Sequence, residues 1–364
     1  MKEEKRVEGG LFAAVNSGKG FVSFYQDVLW RDGIERRYLI KGGPGTGKST
    51  LMRRLGKAAV ARGLDVEHYR CSSDPESLDA IVIDGRVAVM DATAPHCEEP
   101  KVVGAVDRLI DLGAFWDADG LAKHREQIEE LGEKKSACYR GAYRFLSAAM
   151  AVQAQNRELI SPYIRREKLR KAATRAAKDI PDGAGYCLLT GVRSSVGMRG
   201  RVTLDTYEKE AESLYSIRDD YGCGSLFLSM LADEAMKKGN RIRVSYCPID
   251  PSYPDAILFE ESGRAFVLDA QESRGVGVIN MRRFIDRSAL GLGSVEGRRA
   301  KREYRENLRI YEGLLRSAED RLAQAGEYHF ALEEIYKKYM DFDAESDFVS
   351  RLCESILDRP EGAK

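Results

Sequence analysis

The densest chemistry in the chain lies at positions 41–50, KGGPGTGKST. Gly42, Gly43, Pro44, Gly45, Thr46, Gly47, Lys48 and Ser49 fit the spacing G-x-x-x-x-G-K-[ST], and Thr50 follows. Glycines let a backbone curl tightly enough for successive N–H groups to converge, and a helix starting there adds its positive end. Such a curl suits phosphate oxygens. Lys48 would reach the terminal phosphates of a nucleoside triphosphate, and the Ser49 hydroxyl would ligate Mg²⁺. Downstream, the β-rich run 87–91 ends in Asp91, a carboxylate placed to hold the same metal directly or through water. Residues 42–50 are therefore the expected nucleotide-binding set, with Lys48 and Asp91 catalytic and Ser49 and Asp91 on the metal.

The elements that must position these residues are legible on both sides. Residues 37–40 read as a strand entering the loop. Leu51, Leu55, Ala58 and Ala59 recur at helical spacing and stop near Gly63, a candidate C-cap. A second strand at 65–69, the pair Asp74-Pro75, an apolar run at 80–83 and an Asp84-Gly85 turn lead back to the strand ending in Asp91.

The second half of the chain repeats this order. Residues 38–55, YLIKGGPGTGKSTLMRRL, lie over residues 215–232, YSIRDDYGCGSLFLSMLA. Gly45 and Gly47 meet Gly222 and Gly224, Ser225 meets Lys48, and Leu226 meets Ser49. With one residue dropped in the helix, Gly63 meets Gly239 and Asp74-Pro75 meets Asp250-Pro251. RVAVMDA at 86–92 then meets RAFVLDA at 264–270, which sets Asp269 opposite Asp91. Matches in one order over this span indicate an internal duplication. The second loop lacks the lysine and carries Asp219 and Asp220 where phosphates would lie, so one nucleotide is expected per chain, in the first copy. A residue kept in both copies cannot depend on that lysine. Asp74 and Asp250, each before proline, read as helix caps rather than general bases. Asp269 weakens the case for Asp91 in the same way.

Each copy is followed by a helical stripe: Ile128, Leu131, Cys138, Ala142, Phe145, Ala149 and Val152, then Tyr304, Leu308, Tyr311, Leu315, Ala318, Leu322, Ala325 and Leu332. These suit packing, with a partner-binding arm as the sharper alternative. The expected division is a nucleotide-binding domain at 1–104, a helical segment and basic linker at 105–182, a degenerate copy at 183–285 and a C-terminal helical segment at 286–364. Lys+Arg and Asp+Glu number 58 each, so no overall field favours nucleic acid or a membrane surface. The basic run between Arg165 and Lys178 reads as a solvated linker helix. Seven cysteines without C-x-x-C spacing, no long apolar run and a charged start point to a reduced, cytoplasmic protein.

At the loop the chain resembles P-loop NTPases. The tandem arrangement resembles a little-characterised bacterial family of ATPases or ATP-binding proteins with duplicated P-loop domains, most closely in GLFAAVNSGKGFVSF, YLIKGGPGTGKSTLMRRL, CSSDPESLDAIVI and VAVMDATAPH. The resemblance covers most of the chain and implies duplicated P-loop α/β domains, ATP and Mg²⁺. It supplies no second substrate. Three activities fit these residues: an ATPase that moves its helical arms, a small-molecule or nucleotide kinase, and a nucleotide-sensing switch that does not hydrolyse. Arg193, Arg199, Arg201 and Arg218 are candidates for an arginine reaching from the second copy to the first copy's nucleotide.

Overall fold

The structure, a computed structural model, describes residues 5–7, 9–95, 97–270, 277–291 and 293–358. The first half runs β1 (Lys5–Val7), β2 (Leu11–Phe12), a hairpin of β3 (Ala14–Ser17) and β4 (Gly20–Ser23), α1 (Tyr25–Leu29), β5 (Arg36–Lys41) and α2 (Lys48–Ala61). It continues through β6 (Val66–Arg70), β7 (Leu78–Ile83), β8 (Val87–Asp91), β9 (Asp107–Asp111), α3 (Ala118–Ala122), α4 (Arg125–Ile160) and α5 (Arg166–Ala177). The second half repeats the series: β10 (Cys187–Thr190), a hairpin of β11 (Ser194–Gly197) and β12 (Gly200–Leu204), α6 (Thr206–Glu210), β13 (Ser213–Arg218) and α7 (Gly224–Lys237). Then come β14 (Arg241–Tyr246), β15 (Pro254–Phe259), β16 (Arg264–Leu268), β17 (Gly277–Asn280), α8 (Arg287–Leu290), α9 (Val295–Lys337) and α10 (Phe342–Leu357).

The two halves build the same sheet. One has the order β2-β6-β7-β8-β5-β9 and the other β10-β14-β15-β16-β13-β17. In each, the third strand is antiparallel to both neighbours and every other pairing is parallel. The turn between β7 and β8 places both Asp84 and Gly85 at positive φ, the backbone of a tight type I′ hairpin. The chain is thus an α/β protein with two similar sheet-and-helix regions, each followed by a long helix.

Strand β7 is buried along its whole length, and its alternation assigns each face a different neighbour. Ala80 and Val82, with Ala88 and Met90 of β8, pack onto Ala256, Leu258, Ala265 and Val267 of the second sheet. Alanines on both surfaces let the two sheets approach closely. Ile81, Ile83 and Val89 face the other way, onto Leu51, Leu55 and Ala59 of α2. In the second sheet Ile257, Phe259 and Phe266 likewise face Phe227, Leu228 and Leu231 of α7.

One helix does not cover a six-stranded face, and each half takes its second cover from the other. Helix α10, at the end of the second half, packs Val349, Cys353 and Ile356 beside α2 on the first sheet. Helix α5, at the end of the first half, packs Leu169, Ala173 and Ala177 beside α7 on the second. The long helices α4 and α9 carry these covers across. They run antiparallel, with Ala142, Leu146 and Ala149 against Leu315, Ala318 and Leu322, and a buried Asn307–Asn156 hydrogen bond of 3.0 Å fixes their register. The expected seam shifts slightly, because Leu146 rather than Phe145 enters the core and Leu308 is exposed.

Contacts between the halves come in matched pairs. Phe12 and Val192 hold equivalent places before the two hairpins and exchange N–H···O bonds of 2.7 and 3.0 Å. Trp116 bridges Met340, and Ile164 bridges Ile285. Arg199 in one hairpin turn holds Asp74 at 2.7 Å, while Lys19 in the other lies 3.9 Å from Asp250. Asp74 and Asp250 thus serve the contact between halves. The cysteines are all free thiols, and among the described residues no helix is long and apolar enough to cross a membrane.

The exchanged cover makes a testable demand. Val349→Asp places a carboxylate in the core beneath α2. Hydrogen exchange should accelerate in α2 and the first sheet while α7 and the second sheet keep their protection. Loss confined to the second sheet would contradict the assignment.

Candidate functional site

Strand β5 lies between β8 and β9, parallel to both, and delivers the chain to the glycine-rich loop 42–47 at its C-terminal end. Gly45 at φ 73° and Gly47 at φ 82° take left-handed conformations that side chains disfavour, and Gly47 caps α2. The buried Thr46 hydroxyl ties the curl by donating to the Gly43 carbonyl at 2.9 Å. Among the described residues nothing accepts from the backbone N–H groups of Gly45, Thr46 or Gly47.

The expected side chains converge on this loop. Lys48 donates to the carbonyls of Gly42 and Gly43 at 2.8 and 2.7 Å, and its ammonium is 3.6 Å from Asp91 Oδ2. Asp91 Oδ1 accepts from the Thr93 N–H at 2.8 Å, and the Thr93 hydroxyl donates to the Gly42 carbonyl at 2.9 Å. Ser49 Oγ accepts from the Leu78 N–H at 2.9 Å, joining the first turn of α2 to β7. Thr50 is exposed on that turn. Ser49 and Asp91 offer a hydroxyl and a carboxylate oxygen, the hard donors that Mg²⁺ prefers. Among the described residues no three His, Cys, Asp or Glu side chains form a metal-binding group.

Residues from the far end of the chain lie over the loop, which the motif did not disclose. A side-chain carbon on Gly43 would meet the Trp116 ring at 3.0 Å, and that ring packs on Tyr336 with centroids 5.1 Å apart. On Gly45 it would meet the Glu333 carbonyl and Lys337 Cγ, each at 3.1 Å. On Gly47 it would meet Glu345 Oε1 at 2.8 Å. The loop is glycine-rich partly because the α9–α10 corner presses on it. Burial pushes the Glu345 carboxyl above the usual carboxylate range, and Arg54 pulls it back. Lys135 of α4 brings another cation: burial lowers its pKa first, and repulsion from Lys48 lowers it further. The contact between α10 and α2 joins residues 292 positions apart, as at Arg54–Ser346, so no local pattern announces it.

The second copy's loop closes on itself. Gly222 repeats the left-handed turn of Gly45, with φ of 72° and 73°, and α7 matches α2 at 14 residues each. Leu64 and Asn240 close the two helices with the same hydrogen bond, to Ala59 and Ala235. Counting back from these ends places the missing residue in the loop rather than in the helix. Gly224, not Ser225, therefore stands at the place of Lys48, and Ser225, not Leu226, stands at that of Ser49. Asp219, at the place of Gly42, folds its carboxylate into the loop. It accepts from the N–H groups of Tyr221, Cys223 and Gly224 at 3.2, 3.1 and 2.6 Å. Burial raises the Asp219 carboxyl and these donors pull it down. Asp220 turns outward to Arg282.

Strand register corrects a second alignment. Ile40 pairs with Asp91, whereas Ile217 pairs with Leu268; Ala92 and Asp269 then donate to the Ile40 and Ile217 carbonyls, each at 2.9 Å. The β15–β16 turn is one residue longer than its counterpart, so Leu268 is the equivalent of Asp91. The carboxylate at that place belongs to the first copy alone. Of the four arginines, Arg199 reaches the first copy and is held by Asp74 and Glu76. Arg193 is engaged by Glu208 and by the Leu268 carbonyl, and Arg201 by Glu312 and Glu319.

Comparison with protein-family models, with curated proteins and with solved structures finds no match to this chain. Asp219→Ala would leave the N–H groups of Tyr221, Cys223 and Gly224 without their acceptor. It should lower stability by about 1–3 kcal/mol in denaturant unfolding. An unchanged midpoint would mean that the carboxylate does not hold the loop.

Proposed function

We propose that the first copy binds ATP with Mg²⁺ at residues 42–50 and hydrolyses it, while the second copy, a degenerate P-loop domain, binds no nucleotide. The supporting observation is the contrast between sibling loops. In the second, three backbone N–H groups donate to a carboxylate supplied by the loop itself. In the first, glycine replaces that aspartate, and among the described residues the N–H groups of Gly45, Thr46 and Gly47 have no acceptor. A loop shaped for an oxyanion and lacking its own suits one from outside, the phosphate chain of a nucleotide.

The roles follow from side-chain chemistry. The Gly45, Thr46 and Gly47 N–H groups orient the phosphates. Lys48 exchanges two carbonyl partners for phosphate oxygens and stabilises charge on the group being transferred. Ser49 and Asp91 are the residues to hold Mg²⁺, which when bound would neutralise phosphate charge. The α9–α10 corner lies against the loop, whose residues other than Thr46 stay partly exposed. Asp74, the candidate base for an acceptor hydroxyl, is engaged by Arg199, which favours water over a second substrate as the acceptor.

Calorimetric titration with Mg-ATP should give one site per chain; two sites would refute the sealed second loop. An ammonium near a phosphate at about 5 Å is worth roughly 3 kcal/mol at an effective dielectric near 20. Lys48→Ala should therefore cut turnover by about 100-fold, while losing its two carbonyl hydrogen bonds should lower thermal stability only modestly and leave the chain folded. Phosphate release that needs an added acceptor would make the protein a kinase, and tight binding without release would make it a switch. In a Trp30→Phe background, Mg-ATP should change the emission of Trp116, which packs on Gly43. The same addition to the Lys48→Ala variant should leave emission constant.

A further inference from the structure

Balanced overall charge hides a separation of charge within the fold. Residues 281–310 carry nine Lys/Arg and four Asp/Glu. Helix α5, the cover of the second sheet, has five cations and one carboxylate, whereas α10, the cover of the first, has four carboxylates and one cation. Helix α5 and the stretch 281–310, both packed on the second sheet, form a basic pole.

Within this pole lies a concavity of about 400 Å³ beside the start of α9. Among the described residues Arg298, Lys301, Arg302, Arg305 and Arg309 line it, with Glu306 as the one carboxylate. Positions 298, 302, 305 and 309 share one helical stripe about 16 Å long. Among the described residues no carboxylate lies within ion-pair distance of Arg302, Arg305 or Arg309. Like charges at these spacings disfavour the helix that carries them, so Arg302, Arg305 and Arg309 together cost it stability. The basic surface continues across the fold. The Ile164–Ile285 bridge joins the start of α5 to α8, and α8 ends at Gly291 on the rim of the concavity.

We propose that this groove binds duplex nucleic acid through its phosphate backbone, independently of base sequence. Guanidinium groups match phosphate oxygens in a planar, bidentate way that ammonium groups do not, and arginine supplies four of the five cations. A stripe of about 16 Å spans the axial rise of roughly five nucleotides of one strand. Among the described residues no aromatic side chain lines the groove, so it offers no stacking platform of the kind single strands require. Nor, among the described residues, does an apolar side chain line it to enter a bilayer. The sequence-wide balance of charge argued against such a partner only for charge spread evenly over the surface.

The test is fluorescence anisotropy of the full chain with a labelled random duplex of about 20 base pairs between about 50 and 200 mM KCl. Four or five phosphate contacts should give a slope of log affinity against log salt near −4. The variant Arg302→Gln/Arg305→Gln/Arg309→Gln should bind at least tenfold more weakly at the lowest salt, with the slope falling toward −1. Arg125→Gln/Arg140→Gln/Arg144→Gln, an equal change of charge on α4, should leave both unchanged. All six side chains are exposed, and matching thermal unfolding curves will show that each variant folds. Equal affinity in the α9 variant and the parent, or no duplex binding near 50 mM KCl, would overturn the proposal. So would phosphatidylserine vesicles captured through these arginines by a chain that ignores the duplex.

Discussion

Each six-stranded sheet has two apolar faces and one helix of its own half to cover them. The rest of the architecture answers that shortage. Packing the sheets on one another buries a face of each, and small residues such as Ala80, Ala88, Ala256 and Ala265 make the approach close. The outer faces need two helices apiece, and the second comes from the opposite half. The long antiparallel helices follow from this requirement, since something must carry α5 and α10 across the molecule. The Phe12–Val192 pair, with its reciprocal bonds, marks where the halves relate to one another.

The exchange places foreign residues on the candidate site. Trp116 comes from the loop's own half, but Tyr336, Lys337 and Glu345 come from the other. The same asymmetry reaches the surface. One cover helix is acidic and the other basic, so the outer faces of the two sheets carry covers of opposite charge. Geometric likeness between the halves coexists with chemical divergence in nearly every residue that could touch a ligand.

Much of this was legible in the sequence because it is local. The spacing from Gly42 to Ser49 marks the loop, the Asp84-Gly85 turn marks its hairpin, and shared order marks the duplication. Local patterns misled where a single residue had been gained or lost. Sequence identity set Asp269 on Asp91 and Ser225 on Lys48, whereas strand pairing and helix ends set Leu268 and Gly224 there. A one-residue shift is invisible to composition yet reverses a side chain's direction in a strand. The Glu345 contact was beyond reach for a different reason, since it depends on which sheet α10 covers. The role of Asp219 lay between these cases. Its charge stood out in the sequence, but only geometry shows the carboxylate accepting from the loop's own N–H groups.

The matched contacts describe a dimer whose subunits have become one polypeptide. In a two-fold assembly of identical chains, a substitution in one loop appears in both, so sealing one site seals the other. Joining the subunits through residues 178–186 removes that coupling. One loop can then exchange glycine for aspartate and lose a residue while its sibling keeps the lysine, and the shared scaffold still satisfies both sheets. Covalent linkage thus frees the two loops to diverge, while each half still supplies the cover that the other's sheet lacks.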